Sequence, residues 1–175
     1  NGDVPFAATL KHFFGYGYSL SGKDRPPAWI PERELREYFL PSFQAAIDAG
    51  AMSVMVNSGE INGIPVHANR YLLTDLLRDE LGFEGVVVSD WEDIRYLYTR
   101  HMVAEDNKEA TRMGIEAGID MSMVPFDLEF SEALVELVQE GTISMERIDL
   151  SVRRILNMKW ELGLFETAGM PPALD

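Results

Sequence analysis

The chain has 175 residues, 46% of them hydrophobic, a formal net charge of −14 and no cysteine. That length and apolar content suffice for one sizeable core, and no apolar run reaches the ~18 residues of a membrane-spanning helix. The acidic balance argues against nucleic acid or an anionic membrane surface as a partner, and the lack of cysteine excludes disulfides and thiolate metal sites.

Strand-like and helix-like segments alternate along the chain. Val4 to Leu10 is short and apolar and predicts a first strand that ends at Lys11 and His12. Pro31 to Ala49 predicts a helix: Pro31 suits a first helical position, Gly50 suits a C-terminal cap, and Pro41 predicts a kink or break. Met52 to Val56 predicts a second strand. Tyr71 to Leu81 predicts a helix with Leu72, Leu73, Leu76 and Leu77 on one face and Gly82 ending it. Val86 to Ser89 predicts a third strand, its three valines fit for burial on both faces as in a parallel sheet. A helix is expected over Glu105 to Ala117, a fourth strand over Ile119 to Val124, and a helix over Leu128 to Gln139. Ser144 is placed to cap a last helix running to about Leu162, with Ile148, Val152, Ile155 and Leu156 facing inward. Gly169, Pro171 and Pro172 mark residues 166–175 as the start of a linker to something further.

The order βαβαβαβα implies right-handed crossovers and a parallel sheet. Four such units are half of an eight-unit α/β barrel, which needs about 250 residues. Lys11 and His12, Asn57 and Ser58, Asp90 and Trp91, and Pro125 and Asp127 follow the four strands, so all should lie along one sheet edge, where such folds bind ligands. Asp90-Trp91 is the most telling pair. An aromatic beside a carboxylate suits sugars, whose C–H faces stack on rings while carboxyl groups act on the glycosidic bond. The plain structural alternatives are that Asp90 caps the next helix, that His12 is a core histidine and that Trp91 fills space.

The blocks Lys11-His12-Phe13 with Gly15 and Gly17, Asn62 to Trp91, Ala117 to Pro125, and Arg147 to Phe165 together resemble glycoside hydrolase family 3, the β-glucosidases and exo-β-glucan glucohydrolases. The resemblance implies a TIM-like (β/α)8 barrel of which residues 1–165 are the C-terminal half, about four βα units, followed by a missing α/β sandwich domain. It implies a retaining glycosidase with Asp90 as nucleophile and a Glu of the missing domain as acid/base. Glu60, Glu92 and Asp93 are weaker local substitutes, because carboxylates in loops and helices usually face solvent. Lys11 and His12 match the family's sugar-binding pair, Trp91 a position that stacks on the leaving-group sugar, and Met55 a pocket-lining strand position. Ser58 stands where the family pattern has a tyrosine that supports the nucleophile, and so short a hydroxyl leaves that support in doubt.

Asp24 is not followed by the histidine of the family's N-acetylglucosaminidase branch, which argues against that mechanism. His67 and Asn69 are expected to hold a loop and start a helix without chemistry, and His101 to be a surface residue. No spacing of His, Asp or Glu makes a metal site, and no cofactor is expected. The implied partners are a β-linked glucosyl oligosaccharide, the missing N-terminal half-barrel and the C-terminal domain; the implied compartment is periplasmic or secreted. The alternatives are a β-xylosidase or other specificity of the family, and a non-catalytic carbohydrate-binding or structural piece. An isolated half-barrel should expose two sheet edges and associate.

Overall fold

A computed structural model of the chain describes residues 6–166. Its strands are β1 (Thr9–Phe13), β2 (Ser53–Val56), β3 (Glu60–Ile61), β4 (Ile64–Pro65), β5 (Val86–Trp91) and β6 (Met121–Met123). β1, β2, β5 and β6 pair in that order, all parallel, and β3–β4 is a small antiparallel hairpin beyond the end of β2. The helices are α1 (32–48), α2 (Tyr71–Glu80), α3 (Asp93–Thr99), α4 (Asn107–Ala117), α5 (Glu129–Gln139) and α6 (Met145–Glu161). This is the four-unit half of a TIM-like α/β barrel.

The two faces of the sheet differ as a half-barrel requires. Parallel neighbours share a side, so Val54 and Val87 point one way and Met55 and Val88 the other. Val54, Val56 and Val87 are fully buried in the main core with Phe13, Phe14 and the four leucines of α2. Met55 and Val88 are only half-buried, and Met121, opposite Val88, is 47% exposed. Phe13 and Phe14 fix α1 through edge contacts with Phe39 and Phe43 at 5.0–6.0 Å between ring centres. At the start of β5, a Cβ on Gly85 would lie 2.3 Å from the carbonyl oxygen of Met52, which accepts the Val86 N–H, so only glycine lets the two strands meet there.

Several boundaries differ from the sequence expectation. The first strand is Thr9–Phe13 rather than Val4 to Leu10, so Lys11 and His12 lie within it; Val4 lies outside the described residues. Pro41 does not break α1. Leu35–Phe39 widens into a π turn and Leu40–Asp48 continues as α-helix, so the missing N–H of Pro41 falls where the hydrogen-bond ladder is already displaced. α3 was not foreseen, and the α4 helix starts at Asn107 because Asp106 caps it, its carboxylate accepting the Glu109 N–H at 2.8 Å. Ser144 caps α6 as expected. The inward face of α6 is only in part as expected: Ile148 and Ile155 are partly buried, Ile148 against the smaller core cluster, but Val152 and Leu156 are 46% and 45% exposed and the fully buried residue is Ser151. The helix turns Arg147, Ser151 and Arg154 inward instead, all bound to the Asp120 carboxylate or to carbonyls beside it. The linker expected over 166–175 lies outside the described residues except for Glu166.

Candidate active site

The carboxyl ends of β1, β2 and β5 bring His12, Ser58 and Asp90 together. Ser58 follows β2 and is buried; its hydroxyl donates to Asp90 Oδ2 at 2.6 Å. The doubt about its reach is removed, because β2 and β5 are hydrogen-bonded neighbours and a serine is long enough to span them. The Trp91 backbone N–H donates to Asp90 Oδ1, also at 2.6 Å. His12 Nε2 lies 3.4 Å from Oδ2, and Arg25 Nη2 lies 3.8 Å from Oδ1. The Asp90 side chain is 13% exposed. Burial alone would raise its pKa, but the Ser58 and Trp91 donors and the charge of Arg25, with His12, outweigh it and hold the carboxyl below its ordinary range. Asp90 is therefore an ionised, partly accessible carboxylate, and it caps nothing.

The His12 and His67 imidazoles are both less basic than usual. Burial lowers the pKa of His12, and the nearby Lys11 and Arg25 charges add to this against the pull of Asp90. The His12 ring packs against Tyr16 at 4.4 Å. His67 is fully buried and its pKa falls to about 3 by desolvation. Its Nε2 accepts the Asp90 backbone N–H at 3.1 Å, so it fixes the Asp90 end of β5 directly, beyond the loop-holding role expected of it. Asn69 does start α2, its side chain accepting the Leu72 N–H. His101 is not a surface residue; its side chain is 7% exposed and Nδ1 lies 2.7 Å from Glu60 Oε1. That contact occupies Glu60, and Glu92 sits 3.7 Å from Arg95.

The remaining expected residues line the surroundings rather than touch Asp90. Lys11 is exposed on β1 and unpaired among the described residues. Trp91 is 44% exposed, with Phe126 edge-on to it at 5.8 Å, which leaves an open aromatic surface at the mouth of the site. Met55 is half-buried on the open face of β2. A cleft of about 280 Å³ adjoins the site, lined by Tyr16, Tyr18, Asp24, Arg25, Asn57 and Glu60 among others. Among the described residues no group of three or more His, Cys, Asp or Glu side chains could hold a metal.

Arg25 was not expected at the site, and Asp93 was weighed only as a weak substitute acid/base. Arg25 is bracketed by Asp24 at 3.7 Å, Asp90 at 3.8 Å and Asp93 at 3.1 Å. Asp93, the first residue of α3, is 1% exposed rather than solvent-facing. Burial pushes its pKa up to about 6 despite Ser58 and Arg25. The only sequence signal for Arg25 was an Asp-Arg step in a loop rich in Gly, Ser and Pro.

Residues 3–158 match the glycosyl hydrolase family 3 N-terminal domain. The lysosomal beta glucosidase of Dictyostelium discoideum is 58% identical over 158 residues, covering 90% of this chain and 19% of that protein. A beta-xylosidase of Formosa agariphila is 41% identical, covering 91% and 23%. The beta-glucosidase of Listeria innocua superposes with a TM-score of 0.89 at 37% identity, covering 95% of this chain and 23% of that one; it has been solved with glucose and, as a mutant, with laminaribiose. The chain thus spans about a fifth of the length of the relatives it matches. It belongs to glycosyl hydrolase family 3, within that family's N-terminal domain.

Proposed function

We propose that this chain supplies the nucleophile of a retaining β-glucosidase, which removes terminal β-D-glucosyl residues from glucosides or β-glucan oligosaccharides. The observation that carries this reading is Asp90, kept ionised at a strand end by two 2.6 Å donors while its side chain stays accessible. In this mechanism one Asp90 oxygen attacks the anomeric carbon as the aglycone oxygen leaves on the opposite face with a proton from the acid/base; water, giving its proton back to that group, then enters from the face the aglycone left and displaces the Asp90 carboxylate. Lys11 and His12 hold hydroxyls of the bound glucosyl unit, and Trp91 with Phe126 receives the next sugar. The acid/base must stand about 5–5.5 Å from the nucleophile. Glu60 and Glu92 are tied to His101 and Arg95, and Asp93 is buried against Arg25. These ties speak against all three, and in this reading the acid/base comes from a segment outside residues 6–166.

The half-exposed Met55, Val88 and Met121 and the free edges of β1 and β6 fit coverage by the remaining half of the barrel. Val152, Leu156 and Trp160 on α6 are likewise exposed, with only the Phe165 ring beside Trp160 at 6.3 Å. Binding of glucose and laminaribiose by the Listeria relative, and the lysosomal name of the Dictyostelium one, favour a glucosyl substrate and a compartment outside the cytosol. The Formosa relative favours a second reading, xyloside hydrolysis through the same Asp90.

The deciding experiment is mass spectrometry after incubation with 2-deoxy-2-fluoro-β-glucoside and -xyloside carrying a leaving group that needs no acid. A stable glucosyl adduct on Asp90 is expected. An adduct formed only with the xyloside selects the second reading, and none with either refutes the nucleophile assignment.

A further inference from the structure

We propose that Asp93 is a positioning residue for the nucleophile: its buried carboxylate is the counter-ion that holds the Arg25 guanidinium beside Asp90 and fastens the loop at 19–26 over the site. The inference rests on Asp90 being the nucleophile. Four observations carry it.

First, Arg25 is closer to Asp93 than to Asp90, 3.1 against 3.8 Å, so the firm pair is with the residue that does no chemistry. Second, α3 presents a three-point socket for this one residue. Asp93 takes Nη1, the Tyr96 ring lies beneath the guanidinium at 6.0 Å, and Arg100 donates to the Arg25 carbonyl at 3.2 Å. Positions 93, 96 and 100 share one helix face, because i, i+3 and i+7 recur on a 3.6-residue period. Third, Arg25 and Glu92 both adopt left-handed backbone, with φ of 62° and 57°. Non-glycine residues adopt it only where their surroundings hold them, and these two turns are what aim Arg25 and Asp93 at each other. Fourth, among the described residues the hydrogen bonds of Ser19, Ser21, Lys23 and Asp24 run only within residues 16–24, to Tyr16 or to one another. Tyr18 ties the start of this stretch to Glu34 and Phe39 of α1, and Arg25 ties its end to α3 beside Asp90.

The pairing has a chemical reason. The glycosidic carbon gains positive charge in the transition state while Asp90 loses its negative charge to the new bond. A lone arginine 3.8 Å from Asp90 would bind the free carboxylate and then oppose that charge. With Asp93 as its own counter-ion, Arg25 can orient Asp90 without adding a net cation to the reacting centre. Ser58 cannot take over this role, because its single proton is given to Asp90.

The test is the rate of covalent labelling by the 2-fluoro-glucoside, followed as a function of pH on the intact enzyme. Asp93→Asn keeps the shape but removes the counter-charge, so Arg25 turns wholly to Asp90. Labelling should slow by about 10- to 100-fold, the range expected for a misplaced reacting group, and its acid limb should move to lower pH. Arg25→Met should move the acid limb the other way. In the Arg25→Met background, Asp93→Asn should change the rate by less than about two-fold, because the residue acts through Arg25. A purely structural Asp93 would leave the acid limb in place and add its effect to that of Arg25→Met. Should Asp93→Asn alone fold poorly, Arg25→Met with and without Asp93→Asn carries the comparison. A labelled wild type with an unmoved Asp93→Asn variant overturns this inference alone; an unlabelled wild type overturns it together with the proposed function.

Discussion

Removing the Ser58 hydroxyl is the most direct probe of how this site keeps Asp90, the proposed nucleophile, ionised. In Ser58→Ala the 2.6 Å donor to Asp90 Oδ2 is lost, while the Trp91 N–H stays on the other oxygen. A hydrogen bond to a charged group contributes about 1.5–3 kcal/mol, and 1.36 kcal/mol is about one pKa unit, so the Asp90 carboxyl should rise by about 1–2 units. The burial that already pushes it upward is unchanged and no longer opposed by that donor. The assay is labelling with a 2-fluoro-glucoside whose leaving group needs no proton, because only the nucleophile then titrates on the acid side. The acid limb should move up by the same 1–2 units with little change on the alkaline plateau, and Ser58→Thr, which keeps a hydroxyl there, should restore it. An acid limb that stays in place in Ser58→Ala would refute the argument that this donor sets the charge of Asp90.

Asp120→Ala should destabilise the fold by about 3–5 kcal/mol in urea denaturation, since it strands the buried Arg78 and its neighbours Arg147 and Arg154 around an empty site; a loss under about 1 kcal/mol would contradict this. Asp93 should make stability depend on pH with the less usual sign. Its folded pKa of about 6 lies above its ordinary 3.8, so the native state binds the extra proton between these values, and the contribution of Asp93 falls as pH rises through about 6. The difference in unfolding midpoint between wild type and Asp93→Asn should therefore shift against the wild type from pH 5 to pH 8, by the equivalent of about 1.4 kcal/mol, since about one pH unit of the window lies above pH 5, and a constant difference would refute the burial argument. Trp91→Ala should weaken binding of a two-sugar ligand more than of glucose, read by calorimetry, because the exposed indole and Phe126 lie beyond the carboxylate.

Elements that bury one continuous face were legible in the sequence; those shaped by the site were less so. The valines of β5, the leucines of α2 and the serine cap of α6 each signal locally and appear where expected. β1 was placed too early because its functional end carries Lys11 and His12, polar residues that lower the hydropathy of a strand still in the sheet. α3 was missed because it is short, starts from a left-handed Glu92 and buries a carboxylate in its first turn. Val152 and Leu156 were assigned inward because helical periodicity finds stripes but does not say which stripe meets the core; on α6 the arginines do. His12, Ser58 and Asp90 were found because each ends a strand of one sheet. Arg25 was not, because a loop has no period and its partners lie 68 residues away.

Asp90 and Asp120 show how one residue type serves opposite purposes at the two ends of one sheet. Asp120 precedes β6 at the amino-terminal edge and its side chain is 0% exposed. It accepts from Arg78 at 2.7 Å, Ser151 at 2.6 Å, and Arg154 and the Val87 N–H at 3.0 Å. Those four donors fill the roughly four lone-pair directions of a carboxylate, so Asp120 has no electrons left to offer a ligand. It ties β5, β6, α2 and α6 together, a stabilising role that suits the amino-terminal end of such a barrel. Asp90 has one firm donor on each oxygen and one direction on each still open. A carboxylate so held is oriented yet not spent, and that difference in donor count, more than any difference in charge, separates the proposed nucleophile from the rivet.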